Sequence, residues 1–249
     1  MAKLIDTHCH LYLEDFDPEQ ETLWAAAEAS GIDMLLMPNV DLTTIDRMHA
    51  FCDRHSGHCF PMMGLHPTSV GADYATQLSQ TESFLGKRNY CAIGEIGIDL
   101  YWDKSYLKEQ KIVFEEQLRW SIAWDLPVAI HTREAYPEVL DSIHKVGAER
   151  LKGVFHSFTG TPEELAEVNR LPNFKIGING VVTFKNAKLA ETLRQGASME
   201  KIRTELMQDE RCGPWHAFKH AVANDIRAGR VRAGVNPDRV AHACLALWS

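Results

Sequence analysis

Over its first 190 or so residues the chain alternates short β-rich runs with longer segments of helical periodicity, and that alternation confines it to a parallel α/β sheet. The runs expected as strands are Leu4–Thr7, Met34–Met37, Cys59–Gly64, Cys91–Gly94, Val128–His131, Gly153–His156 and Phe174–Gly180. The helical segments between them are Glu19–Ser30, Thr43–Cys52, Ala75–Gly86, Leu107–Trp124, Tyr136–Lys145, Pro162–Arg170 and Ala187–Arg194. Two helix starts carry local signals: Asp17-Pro18 ahead of the first, and Thr161-Pro162 as N-cap and first helical residue of the sixth. At roughly 30 residues per strand–helix unit, eight units fill the chain, as a closed barrel requires. An open doubly wound sheet would carry a Gly-rich phosphate turn after its first strand. Here that strand ends in Asp6-Thr7-His8-Cys9-His10, with no glycine. The expected fold is therefore α/β, a TIM-type (β/α)₈ barrel. No linker or low-complexity tract appears before about residue 200, so residues 1–249 read as a single domain.

Composition excludes some classes. Hydrophobic residues at 45% and charged residues at 24% suit a globular chain and argue against disorder. No apolar run approaches a membrane span, and the first residues lack the apolar stretch of a signal peptide. The six cysteines (9, 52, 59, 91, 212 and 244) form no CxxC pair, which favours a reduced, cytoplasmic setting over a disulfide framework. A net charge of −8 counts against a protein that grips DNA chiefly through its phosphates. It counts less against one that holds a few phosphates through cations in a cleft, because carboxylate ligands make the metal-free protein more acidic.

The chemistry lies at the strand ends. His8 and His10 close the first strand, His66 follows the third, Glu95 ends the fourth, His131 the fifth and His156 the sixth. In a parallel barrel the C-terminal strand ends open on one rim, where active sites are built. A lone histidine there is more often structural than a ligand; five with a glutamate at corresponding ends point to a metal site. His8 and His10 share strand parity, so both can face one ion. Imidazole and carboxylate donors suit a catalytic divalent cation, and the two oxygens of Glu95 could bridge two cations for phosphodiester hydrolysis. The other histidines at 49, 55, 58, 144, 216, 220 and 242 fall in helical or loop segments and read as surface residues. Cys9, of opposite parity, reads as facing the barrel wall, and the Trp and Met residues read as core.

The strings Asp6-Thr7-His8-Cys9-His10-Leu11, Gly64-Leu65-His66-Pro67 and Ile93-Gly94-Glu95-Ile96-Gly97-Ile98-Asp99 resemble successive signatures of the TatD family of deoxyribonucleases. So do Pro127-Val128-Ala129-Ile130-His131-Thr132-Arg133, Val154-Phe155-His156-Ser157-Phe158-Thr159-Gly160, Gly177-Ile178-Asn179-Gly180 and Thr183-Phe184-Lys185-Asn186-Ala187. The match runs in order from residue 4 to about 190. The resemblance implies a Mg²⁺- or Mn²⁺-dependent nuclease, with Zn²⁺ as a further candidate, that cuts DNA phosphodiesters, often from the 3′ end. It implies that His8, His10, Glu95, His131 and His156 hold the metals. It also implies that His66, Arg133, Ser157 and Lys185 contact substrate or position ligands; a guanidinium fork and a lysine point charge both suit phosphate.

The resemblance breaks at the eighth strand, where the family carries a Glu-Thr-Asp-Ala-Pro-Tyr-like string whose Asp binds metal and helps to activate water. This chain reads Arg203-Thr204-Glu205-Leu206-Met207-Gln208-Asp209-Glu210-Arg211-Cys212-Gly213-Pro214-Trp215. With Glu205 in register, Met207 takes the Asp position; with a slip, Asp209 serves as the second catalytic carboxylate beside Glu95. Residues 203–235 are thus expected to diverge, and strand eight to be imperfect. Two further functions share the site. One is a metal-binding relative inactivated by loss of that Asp. The other is a small-molecule amidohydrolase or lactonase, disfavoured because no strand-end lysine is present to bridge metals.

Overall fold

The computed structural model describes residues 4–183 and 188–196. Lys185, Asp209 and the whole 203–235 segment, with the expected eighth strand, lie outside the described residues. Within them the expected alternation is found: β1 (Leu4–Asp6), α1 (Gln20–Ala29), β2 (Ile32–Pro38), α2 (Ile45–Arg54), β3 (Cys59–Met63), α3 (Tyr74–Glu82), β4 (Ala92–Asp99). The series continues with α4 (Leu107–Trp124), β5 (Val128–Arg133), α5 (Tyr136–Val146), β6 (Gly153–Phe155), α6 (Pro162–Arg170), β7 (Phe174–Ile176) and α7 (Leu189–Gly196). All neighbouring strands pair in parallel and lie in the order β1-β2-β3-β4-β5-β6-β7. A doubly wound sheet reverses its strand order at a switch point; this sheet never does, and it curls as the wall of a TIM-type barrel.

Local sequence explains the elements. On α4 the buried positions Gln110, Val113, Phe114, Gln117, Leu118 and Ser121 follow the i, i+3, i+4, i+7 spacing of one helical face. The helix stops at Asp125, which adopts the left-handed conformation at φ 51°. The capping box expected at α6 forms: Thr161 Oγ1 accepts from the Glu164 amide, and Glu164 accepts from the Thr161 amide. β4 is buried along its whole length, flanked by β3 and β5 and covered by α4.

Several expectations need correction: β1 ends at Asp6, so His8 and His10 follow the strand rather than closing it in shared parity, and β5 runs past His131 to Arg133. Glu95 does not end its strand, because β4 continues to Asp99 by pairing with β5 as far as Asp99–Arg133. Gly97 makes that extension sterically feasible: a Cβ there would lie 1.9 Å from the His131 carbonyl oxygen. The third helix ends at Glu82 rather than running to Gly86, which sits at φ 81°. Nor are all tryptophans core residues: Trp24 and Trp120 are buried, but Trp102 and Trp124 are 71% and 51% exposed. Cys9 is buried in the main hydrophobic cluster. His49, His55 and His58 are half-buried and His144 is exposed.

Candidate metal centre

The centre is built around Glu95. Between Ile93 and Ile96 β4 advances three residues while its partner advances two, from Val128 to Ile130, which is a one-residue bulge. Bulges re-aim side chains, and here the bulged segment places the Glu95 carboxylate, 4% exposed, among four imidazoles. Its Oε2 lies 3.0 Å from His8 Nε2, 3.6 Å from His10 Nε2 and 3.7 Å from His66 Nε2. Its Oε1 lies 3.1 Å from His131 Nδ1. Two groups with metal-ligand geometry result, His8–His10–Glu95 and His66–Glu95–His131, and they share the one carboxylate.

Three of the imidazoles, those of His10, His131 and His66, are oriented by a partner on the far side. Tyr12 Oη donates its proton to the Pro38 carbonyl, so toward His10 Nδ1, 3.0 Å away, it acts as acceptor. His10 thus carries its proton on Nδ1 and turns the Nε2 lone pair inward, 3.1 Å from His8 Nε2. Two imidazole nitrogens and a carboxylate oxygen then converge on one point, where a single proton cannot satisfy all three and a divalent cation can. His131 Nε2 donates to Asp99 Oδ2 at 2.8 Å, which leaves Nδ1 for Glu95 or for a cation. His66 is anchored at Nδ1 by Thr68, whose Oγ1 lies 2.7 Å and whose amide lies 3.2 Å away, and its Nε2 faces the centre. His156 lies outside both groups and stacks on His8, with ring centroids 3.4 Å apart.

The electrostatics follow from burial and these pairings. Burial lowers the pKa of His8 against the pull of Glu95, takes His66 down to about 4 and holds His156 well below its ordinary value, so all three are neutral at pH 7. Burial also opposes charge on His131, but its bonds to Asp99 and Glu95 win and raise it to about 9. Burial works against ionisation of Glu95 too, and the surrounding imidazoles overcome it, holding the carboxyl well below the usual range. His131 is therefore a cation held between two carboxylates.

Sequence reasoning missed three supports. Asp99 shares β4 parity with Glu95 and Gly97, a signal that was available in the sequence. Gln110 and Gln117 sit two turns apart on the buried face of α4, where polar residues at apolar-phase positions were the clue. Gln117 bonds both backbone groups of Leu65, beside His66 (Oε1 from the amide at 2.7 Å, Nε2 to the carbonyl at 3.2 Å). Gln110 does the same for Asp99, at 2.8 and 3.1 Å. Of the other residues singled out, Arg133 is exposed at the end of β5, and Ser157 Oγ accepts from Asn179 Nδ2.

The chain matches the family model described as TatD related DNase over residues 5–205. It belongs to that family. It is 33% identical over 185 residues to the uncharacterized metal-dependent hydrolase YabD of Bacillus subtilis, covering 74% of this chain and 72% of that one. It is 32% identical over 165 residues to the 3′-5′ ssDNA/RNA exonuclease TatD of Cronobacter turicensis, covering 66% and 62%. Among solved structures, the TatD homologue YjjV of Escherichia coli superposes with a TM-score of 0.73 at 22% identity, over 97% of each chain. The likeness to YjjV is one of fold; family membership makes this chain a TatD-family metal-dependent hydrolase.

Proposed function

We propose that this TatD-family hydrolase cleaves DNA phosphodiester bonds from the 3′ end, using two divalent cations held on either side of Glu95. The observation that carries the reading is the pair of ligand groups sharing that buried carboxylate. Cations so placed supply Lewis acidity at a phosphoryl oxygen and lower the pKa of water. The mixed imidazole and carboxylate donors admit Mg²⁺, Mn²⁺ or Zn²⁺.

The chain's own residues divide the remaining work. Glu95, ionised at neutral pH, anchors both cations. His8 and His10 complete one ligand group; His131, positioned by Asp99, serves the other, and His156, stacked on His8, is proposed from sequence as a further metal ligand. His66 stands beside Glu95 and His131 to contact substrate, and Arg133 supplies a guanidinium for phosphate. Ser157 positions the rim beside His156 through Asn179. Asp209 as a second catalytic carboxylate and Lys185 as a phosphate contact are proposed from sequence alone. Relatives named as 3′-5′ exonucleases support the substrate class. The four described cysteines are free thiols, which fits a cytoplasmic site of action, and no described helix is long and apolar enough to cross a membrane.

The test is degradation of 3′- and 5′-labelled single-stranded DNA in Mg²⁺ or Mn²⁺, with EDTA and Glu95→Ala controls. Metal-dependent shortening from the 3′ end that vanishes in both controls is expected. No cleavage by folded, metal-loaded protein would contradict the proposal and favour a relative inactivated by loss of the strand-eight Asp.

A further inference from the structure

Beside the metal centre lies an aromatic cluster that the residues assigned above do not explain. Among the described residues, the exposed large hydrophobic side chains are Trp102 (71%), Trp124 (51%), Ile112 (49%) and Tyr101 (48%). Ile112 and Trp124 are separate positions on α4, whereas Tyr101 and Trp102 are adjacent, with their rings edge to face at a centroid distance of 4.9 Å. The Arg133 guanidinium carbon lies 3.6 Å from the Tyr101 ring centroid and 5.4 Å from that of Trp102. Among the described residues no carboxylate pairs with Arg133. Single exposed aromatics are common; two together with a stacked guanidinium are a surface suited to a flat aromatic ligand.

The cluster is tied to the metal centre by one side chain. Asp99 Oδ2 accepts from His131 Nε2 at 2.8 Å, while Oδ1 of the same carboxylate accepts from the amides of Tyr101 at 2.9 Å and Trp102 at 3.4 Å. Arg133 follows His131 by two residues on β5 and pairs in register with Asp99. Backbone hydrogen bonds thus fix the turn, while the rings project to solvent.

We propose that Tyr101 and Trp102, braced by the phosphate-directed guanidinium of Arg133, form a stacking platform for an unpaired nucleobase of the strand whose backbone enters the metal centre. The proposal rests on the nuclease reading and adds what that reading lacks, a reason to prefer single strands. A base offers its face to a protein ring only when it is unstacked. Base–aromatic stacking is tolerant of sequence because every base has a π-face, so the platform selects strand form and not sequence.

The experiment compares kcat/KM in Mg²⁺ on a single-stranded oligonucleotide and on the same oligonucleotide with abasic residues near its 3′ end. Wild type, Trp102→Ala, Tyr101→Ala and, as an exposed control, Trp124→Ala are measured. Stacking is worth about 1–3 kcal/mol per base, so Trp102→Ala is expected to raise KM about tenfold on the normal strand. The wild-type preference for the normal strand over the abasic one should collapse in that variant and persist in Trp124→Ala. Equal losses on both substrates, or no loss on either, would overturn the platform. Failure of the wild type to cleave any DNA would instead overturn the nuclease reading. In that case fluorescence anisotropy of labelled single-stranded DNA still decides the platform: weaker binding by Trp102→Ala sustains it, and binding equal to wild type, or none by either protein, overturns it.

Discussion

The two sides of Glu95 are built on opposite principles. On the β1 side, His8 and His10 come from the segment that follows β1, His8 is held neutral, and the inward lone pair of His10 is fixed through Tyr12 and Pro38. On the β5 side, His131 sits between Glu95 and Asp99 and keeps a proton up to about pH 9. The first side presents bases that wait for a cation; the second already holds a cation in the form of a proton. Loading the first is addition, and loading the second is exchange.

The largest effect should come from removing what both sides share. Glu95→Gln keeps the shape and deletes the bridging charge, so hydrolytic activity should fall on the order of 10³-fold or more, with both metal-binding events lost in calorimetry. Asp99→Asn should separate the sides. Losing the acceptor behind a metal-binding histidine typically weakens affinity about 10–100-fold, so only the event on the β5 side should shift in calorimetry. His8→Ala should instead abolish the other event.

A pH series sharpens the contrast. A group whose pKa is raised to about 9 holds its proton below that pH, so a metal must displace it. Affinity on the β5 side should rise with pH by up to about tenfold per unit below 9 and then level. Near one proton should be released per event at pH 7, measured by calorimetry in buffers of different ionisation enthalpy. His8 is neutral at that pH, so the event on the β1 side should be nearly flat. The smallest effect is expected at the scaffold: Gln117→Leu leaves the Leu65 amide and carbonyl unpaired and should cost about 1–3 kcal/mol, visible as a lower Tm.

The same asymmetry marks what could be read from the sequence. The strand–helix alternation is local, and it placed all seven described strands and helices, with α4 and α6 matching at both ends. The first histidine pair was also singled out and does meet at Glu95, but not by the strand parity expected, because β1 ends at Asp6 and both residues lie in the segment after it. Glu95 was recognised, but its place in mid-strand was not, because the bulge and the run to Asp99 depend on pairing with β5 across Gly97. Asp99 and the two α4 glutamines escaped notice because their partners are backbone groups and a histidine far off in sequence. Trp102 misled because hydrophobicity was taken as burial, whereas hydrogen bonds to the Asp99 carboxylate hold the turn with its ring exposed.

The most direct test of the shared-carboxylate centre is anomalous diffraction from crystals loaded with Mn²⁺ at pH 8 to 9. The account predicts two peaks flanking Glu95, one within bonding distance of His8 and His10 and the other beside His131. A single peak, or peaks that leave Glu95 outside the coordination sphere, would contradict it.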